Sequence, residues 1–123
     1  MDISNFFGPL STCQIEIYEA VNEKALSYDL KLETKYEIPF YTHKSWICYL
    51  NPIKKDCVEW AFVRANEYLE EVQSLLNFKK RKQVGGLEFY HLDQELLEIG
   101  DFVLQEAIIL DQNTPYKSKR KKK

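Results

Sequence analysis

Two apolar runs, SWICYLN at residues 45–51 and CVEWAFV at 57–63, face each other across PIKKD. Both are rich in the aromatic and β-branched residues that suit a pleated surface. The segment between them, Pro52–Asp56, has the composition of a turn, so a hairpin with a five-residue loop is expected. Everything else in the chain must pack on that hairpin. Setting Asn51 opposite Cys57 places Trp46, Cys48 and Leu50 across from Phe62, Trp60 and Val58, all on one face suited to a core. The other face would carry Ile47, Tyr49, Glu59 and Ala61, with Glu59 marking solvent. Cys48 and Cys57 then point to opposite sides and can neither bridge nor share a metal. A slip of one residue would reverse every facing.

Helices are expected at both ends. Ser11 and Gln14 form a capping box, and Leu10 with Ile15 a hydrophobic staple, so a helix should start near Thr12 and run to about Leu26. Leu10, Ile17, Val21 and Tyr28 share its apolar stripe. Asp93 caps a terminal helix to about Leu110, with Leu92, Leu96, Ile99, Val103, Ala107 and Leu110 at helical spacing. Phe102 and Ile109 fall on its polar side, where a partner or a covering loop could meet them. From Tyr36 the period is two, and Pro39 makes that segment an edge strand or the beginning of a strand. Residues 66–77 suit either a short helix or a loop with one helical turn. A last strand is expected at Leu87–His91, with Leu87 and Phe89 inward. The order is helix, three strands, helix or loop, strand, helix: an α+β layer with a small antiparallel sheet and the N- and C-terminal helices packed on one face.

Length and charge narrow the classes. A chain of 123 residues is one domain, and no apolar run approaches the ~20 residues of a membrane span. The N-terminus MDISNFFGPL lacks the basic and apolar regions of a secretory signal, so a cytoplasmic location is expected. Three cysteines without CxxC spacing argue against a disulfide framework or zinc ribbon. The formal charge of −2 hides an asymmetry, because six of the 17 cations lie in KSKRKKK at 117–123. The rest of the chain has 11 cations against 19 acids, a net of −8. The domain is placed at 1–111, and 112–123 is expected to be a disordered basic tail.

Catalytic motifs are missing. His43 and His91 lie on different elements, and GxSxG, HExxH, EF-hand and Rossmann patterns are absent. The chain is expected not to be an enzyme. Three candidate sites remain. Glu16, Glu19 and Glu23 form a ridge on the first helix without i+4 lysines, and carboxylates can hold a divalent ion without the tight lock of thiolates. Glu95, Glu98 and Asp101 make a second acidic face on the last helix. Lys79, Lys80, Arg81 and Lys82, before Gly85-Gly86, are either a solvated turn or an anion or nucleic-acid contact. The cations precede a strand rather than a helix, so no helix N-terminus faces a phosphate there. The acidic body would also repel a phosphate backbone, so nucleic acid is not the expected partner. A third candidate is a partner surface on the Ile47, Tyr49 and Glu59 face of the hairpin.

Four segments, KYEIPFY, WICYLNP, WAFVRANE and LLNFKKRKQVGGLEF, together resemble the bacterial YdhG-like family, a domain of unknown function. That family shows a K-aromatic-G-IPF segment, a CYINP strand, a GFVRGNE-like strand and a GKGRKQV turn in the same order. The resemblance covers roughly residues 10–110 and implies a frataxin-like α-β-α arrangement. One branch of the family is described as an intracellular iron chaperone serving iron–sulfur and haem assembly proteins. By resemblance, Glu16, Glu19 and Glu23 would bind Fe(II) weakly and exchangeably. Glu37, Cys57, Ala65 and Lys80 stand where the family pattern has glycine, which the fold tolerates if the backbone avoids positive φ there.

Overall fold

The structure is a computed structural model and describes residues 1–116. It has the α+β layer expected: five antiparallel strands in the order β1-β2-β3-β4-β5, with the N- and C-terminal helices on one face. Residues 117–123, most of the expected basic tail, lie outside the described residues. Helix α1 (Thr12–Ser27) starts at the capping box, where the Ser11 hydroxyl accepts from the Gln14 amide and the Gln14 side chain accepts from the Ser11 amide. Its end turns on Asp29, whose φ of 64° is left-handed. The Leu30 and Asp29 amides return to the Ala25 and Leu26 carbonyls, which satisfies the last helical acceptors.

Strand β1 (Lys31–Lys35) escaped sequence reading because Lys-Leu-Glu-Thr-Lys has a single apolar residue. It forms a hairpin with β2 (Ile38–Thr42), closed by Tyr36 and Glu37 with φ of 54° and 64°. Two successive left-handed residues make a type I′ turn, whose twist matches the strands. With β1 outside it, β2 is not the sheet edge, and Pro39 sits beside the turn at the strand's beginning. Glu37 thus takes positive φ without being glycine, and so does Lys80 with φ of 66°; Cys57 and Ala65 do not.

Strand β3 (Trp46–Lys54) and β4 (Cys57–Phe62) form the expected hairpin, but Leu50 pairs with Trp60 and Cys48 with Phe62. The register is displaced by two residues, so Cys48, Leu50, Val58, Trp60 and Phe62 still share the core face. Pro52 and Lys54 pair with Val58 and Cys57 around a bulged Ile53, leaving Lys55-Asp56 as a two-residue loop instead of five. A second irregularity reverses two expectations. Tyr41 pairs with Cys48 and Thr42 with Trp46, so Ile47 is an extra residue on β3. Such a bulge shifts the alternation: Ile47 enters the core at 3% exposure, and Trp46 turns to the opposite face at 37%.

Between β4 and β5 (Gly85–Phe89) the chain makes a 3₁₀ turn, Ala65–Glu67, and one helical turn, α2 (Glu70–Gln73), the second of the two forms expected there. Leu87 and Phe89 point inward as expected. Helix α3 (Gln94–Asn113) starts at Asp93, whose carboxylate accepts from the Leu96 amide. Its buried face runs through Leu97, Gly100, Val103, Leu104, Ala107 and Asp111, rotated by about a residue from the stripe expected. Gly100 explains the rotation, since a Cβ there would overlap the Trp60 ring, standing 2.6 Å from its Cε3. The helix presses on Trp60 where it has no side chain. Helix α3 also passes the expected domain boundary at 111 and ends at Asn113. Among the described residues no helix is long and apolar enough to cross a membrane.

Candidate ligand-binding face

The core occupies only the helical side of the sheet. On the other side, alternation along β2 and β3 presents Phe40 opposite Tyr49, while the bulge adds Trp46. Their rings pack as a cluster: Phe40 and Tyr49 stack at 4.8 Å between centroids, Phe40 and Trp46 lie at 5.1 Å, and Phe40 and Tyr36 at 6.1 Å. Phe40 is the buried floor, at 4% exposure, whereas Tyr36 at 76% and Trp46 at 37% form the exposed rim. The rings, with Ile38, Val63 and Val84, surround a hollow of about 330 Å³. Lys35 lies over it, with its ammonium 5.3 Å from the Trp46 ring and 5.7 Å from the Tyr36 ring. Burial holds the Tyr49 phenol above its ordinary value, helped by Glu59 and opposed by Arg81 and Lys79.

Beyond Trp46 the same face continues into a wider depression of about 690 Å³, lined among others by Lys31, Glu33, His43, Lys44 and Tyr116. Asp111 supports its wall. This carboxylate, 1% exposed, accepts from the Lys44 amide at 2.7 Å, the Ser45 amide at 3.1 Å and the Ser45 hydroxyl, with His43 Nδ1 at 3.0 Å. Burial alone would raise its pKa. The Ser45 hydroxyl, the two amides and His43 outweigh that and hold the carboxyl below its usual range. Ser, His and Asp here do not form a nucleophilic relay. The carboxylate sits between the other two, and the Ser45 proton goes to Asp111 rather than to the imidazole, whereas a triad needs the histidine in the middle. Sequence reasoning missed Asp111. Its signal was an acid four residues beyond Ala107, on the apolar line of α3.

The residues singled out from sequence separate. Of the expected partner surface Ile47, Tyr49 and Glu59, only Tyr49 belongs to the open aromatic face. Ile47 is in the core because of the bulge. Glu59 is 1% exposed because the basic turn folds over it. Arg81 donates from Nη1 to Glu59 Oε1 at 3.2 Å and from Nη2 to Oε2 at 2.5 Å, and Gly86 leaves room for the carboxylate, since a Cβ there would stand 2.8 Å from Glu59 Cγ. Lys79 pairs with Glu88, which holds the Glu88 carboxyl below its ordinary value. Two of the four cations at 79–82 are therefore ion-paired to the sheet, and Lys80 and Lys82 remain exposed. The turn is an anchored strap, and its glycines serve close approach rather than a left-handed bend, as neither has positive φ.

Glu16, Glu19 and Glu23 are exposed on α1, on the far side of the molecule from the aromatic hollow. Among the described residues no three His, Cys, Asp or Glu side chains are grouped so as to hold a metal ion. The cysteines are free, and burial pushes the Cys48 thiol up to about 12, against the opposing Trp60 indole. Cys57 lies outside the core cluster near Glu88 and Tyr90, on the opposite side from Cys48 as expected. Comparison with known proteins returns no match: no family model, no curated protein and no solved structure matches this chain.

Proposed function

We propose that this chain is a non-enzymatic binding module whose recognition surface is the helix-free face of the sheet. The observation that carries the reading is the aromatic hollow itself: exposed Tyr36 and Trp46 over a Phe40 floor, on a face that no helix covers. Aromatic rings exposed together on rigid strands offer large contact area with little rotamer entropy to lose. The YdhG-like resemblance is part of the proposal. Its four motifs fall on the β1–β2 hairpin, on β3, on β4 and its exit, and on the strap into β5.

Titrating indole into isotopically labelled protein tests this. Amide shifts should concentrate at residues 35–40, 46–49, 63 and 84. Shifts confined to the helical side, or none at millimolar indole, would remove the hollow as a binding surface.

The iron-chaperone reading is the second proposal. It is supported by the resemblance and by Glu16, Glu19 and Glu23, which form no ion pair among the described residues. Anaerobic ferrous titration should then broaden amides near 16–23, and the triple glutamine variant should abolish the effect while leaving folding intact. Unchanged iron affinity in that variant would end this assignment.

A further inference from the structure

The charges on this molecule are segregated. Helices α1 and α3 together carry eight acidic residues against Lys24 alone. The open face of the sheet is different: Lys31 and Lys35 project from β1 on the same side as Phe40, and Lys44 follows β2. Of the acids there, Glu59 and Glu88 are paired by the strap, while Glu33, between Lys31 and Lys35, and Glu37 at the turn are exposed. The net charge of −8 outside the last seven residues therefore describes the helical side, not the aromatic side.

From this juxtaposition of exposed rings and lysines we propose that the open face binds single-stranded nucleic acid, with bases stacked on Trp46 and Tyr36 and phosphates held by Lys31, Lys35 and Lys44. The inference rests on the open face being the recognition surface and names its ligand. Single strands are bound by this combination of cations that follow the backbone and rings that accept any base. Lys35 now covers the Trp46 and Tyr36 rings. A base taking its place releases the ammonium within one side chain's reach of the attached phosphate. A peptide is the weaker fit. Strand addition beside the hollow would use the edge β1 rather than the far edge β5; there Lys31, Glu33 and Lys35 line the open side, and charged edges resist added strands. The hollow is a shallow depression on a sheet, not a groove for a helix.

The test uses the full chain and labelled oligouridylate and oligothymidylate of about 12 nucleotides, a length within one small domain's site. Anisotropy and tryptophan quenching should report binding that Trp46→Ala weakens roughly tenfold or more, the loss expected for one stacked base. Trp46→Phe should restore most of the affinity. Tyr36→Asn, at an exposed turn position where asparagine accepts left-handed φ, is a second variant that does not disturb the interior. Replacing Lys31, Lys35 and Lys44 together by alanine should lower the slope of log affinity against log salt by about two, at ~0.7 per phosphate contact.

The cations of 117–123 attract any polyanion, so a duplex of equal length is the control and should bind at least about tenfold more weakly. Equal binding of duplex and single strand, or affinity indifferent to Trp46 and Tyr36, would overturn the proposal. So would the absence of binding. Were indole still to enter the hollow in that case, the binding-module reading would stand and the ligand would be a protein segment.

Discussion

At single residues, the left-handed positions are where this chain departs most from the least costly choice. Glu37 and Lys80 hold φ of 64° and 66°, a region that costs an L-residue about 1–2 kcal/mol through its Cβ. Glycine removes that strain but adds about 0.5–1 kcal/mol of unfolded-state entropy. The net favours glycine modestly. Glu37→Gly and Lys80→Gly are each expected to raise stability by about 0.5–1 kcal/mol, read from urea midpoints with an unchanged m-value. Lower midpoints would mean that the two side chains make contacts worth more than the strain. The resemblance places glycine at both positions, so the condition on which these departures were to be tolerated, no positive φ, fails at Glu37 and Lys80 and holds at Cys57 and Ala65.

Between elements, one buried acid joins the sheet to the last helix. Asp111 on α3 caps the backbone of the turn between β2 and β3. An asparagine could keep its Oδ1 on the two amides, but its N–H₂ would replace the oxygen that accepts from the Ser45 hydroxyl and lies 3.7 Å from Arg64 Nη1, removing the charge opposite a buried guanidinium. Asp111→Asn should therefore cost about 2 kcal/mol or more at pH 7, as expected for unsatisfied buried donors. The sign with pH follows from the lowered carboxyl. Its stabilisation is complete above the unfolded value of about 3.9 and is lost as pH falls through the lower folded value. The difference in unfolding free energy between wild type and variant should be largest at neutral pH and shrink below about pH 4. A constant difference down to pH 2 would mean that the carboxylate's charge contributes nothing.

Elements with a strong local signal were readable from sequence. The capping box set the start of α1, Asp93 set that of α3, and alternation found the β3–β4 hairpin. What escaped depends on distant partners. Trp46 and Ile47 exchange faces because of a bulge that β2 imposes, and Glu59 is buried because Arg81, 22 residues on, closes over it.

For the molecule as a whole, composition and contact disagree on where the fold ends. Basic residues begin at 117, and the apolar stripe of α3 fades after Leu110, so patterning alone places the boundary at 111. Arg64 moves it outward. This guanidinium, 5% exposed, is held by Glu67 and donates from Nη1 to the Thr114 carbonyl at 2.7 Å, with the Tyr116 ring 5.6 Å above it. The Thr114 amide in turn closes the last turn of α3 on the Leu110 carbonyl. No local pattern reveals a contact that spans 50 residues. A chain ending at 111 would strip Arg64 of an acceptor and a ring, and would leave the Asp111 backbone at a frayed terminus. A buried charged donor that loses its acceptor costs about 1–3 kcal/mol. The 1–111 chain should therefore be less stable than 1–116 by a free energy in that range, read as a lower urea midpoint at unchanged m-value, and Arg64→Ala should narrow the gap between the two. Equal midpoints for 1–111 and 1–116 would return the boundary to the place where the pattern ends and would make the Arg64–Thr114 contact energetically empty.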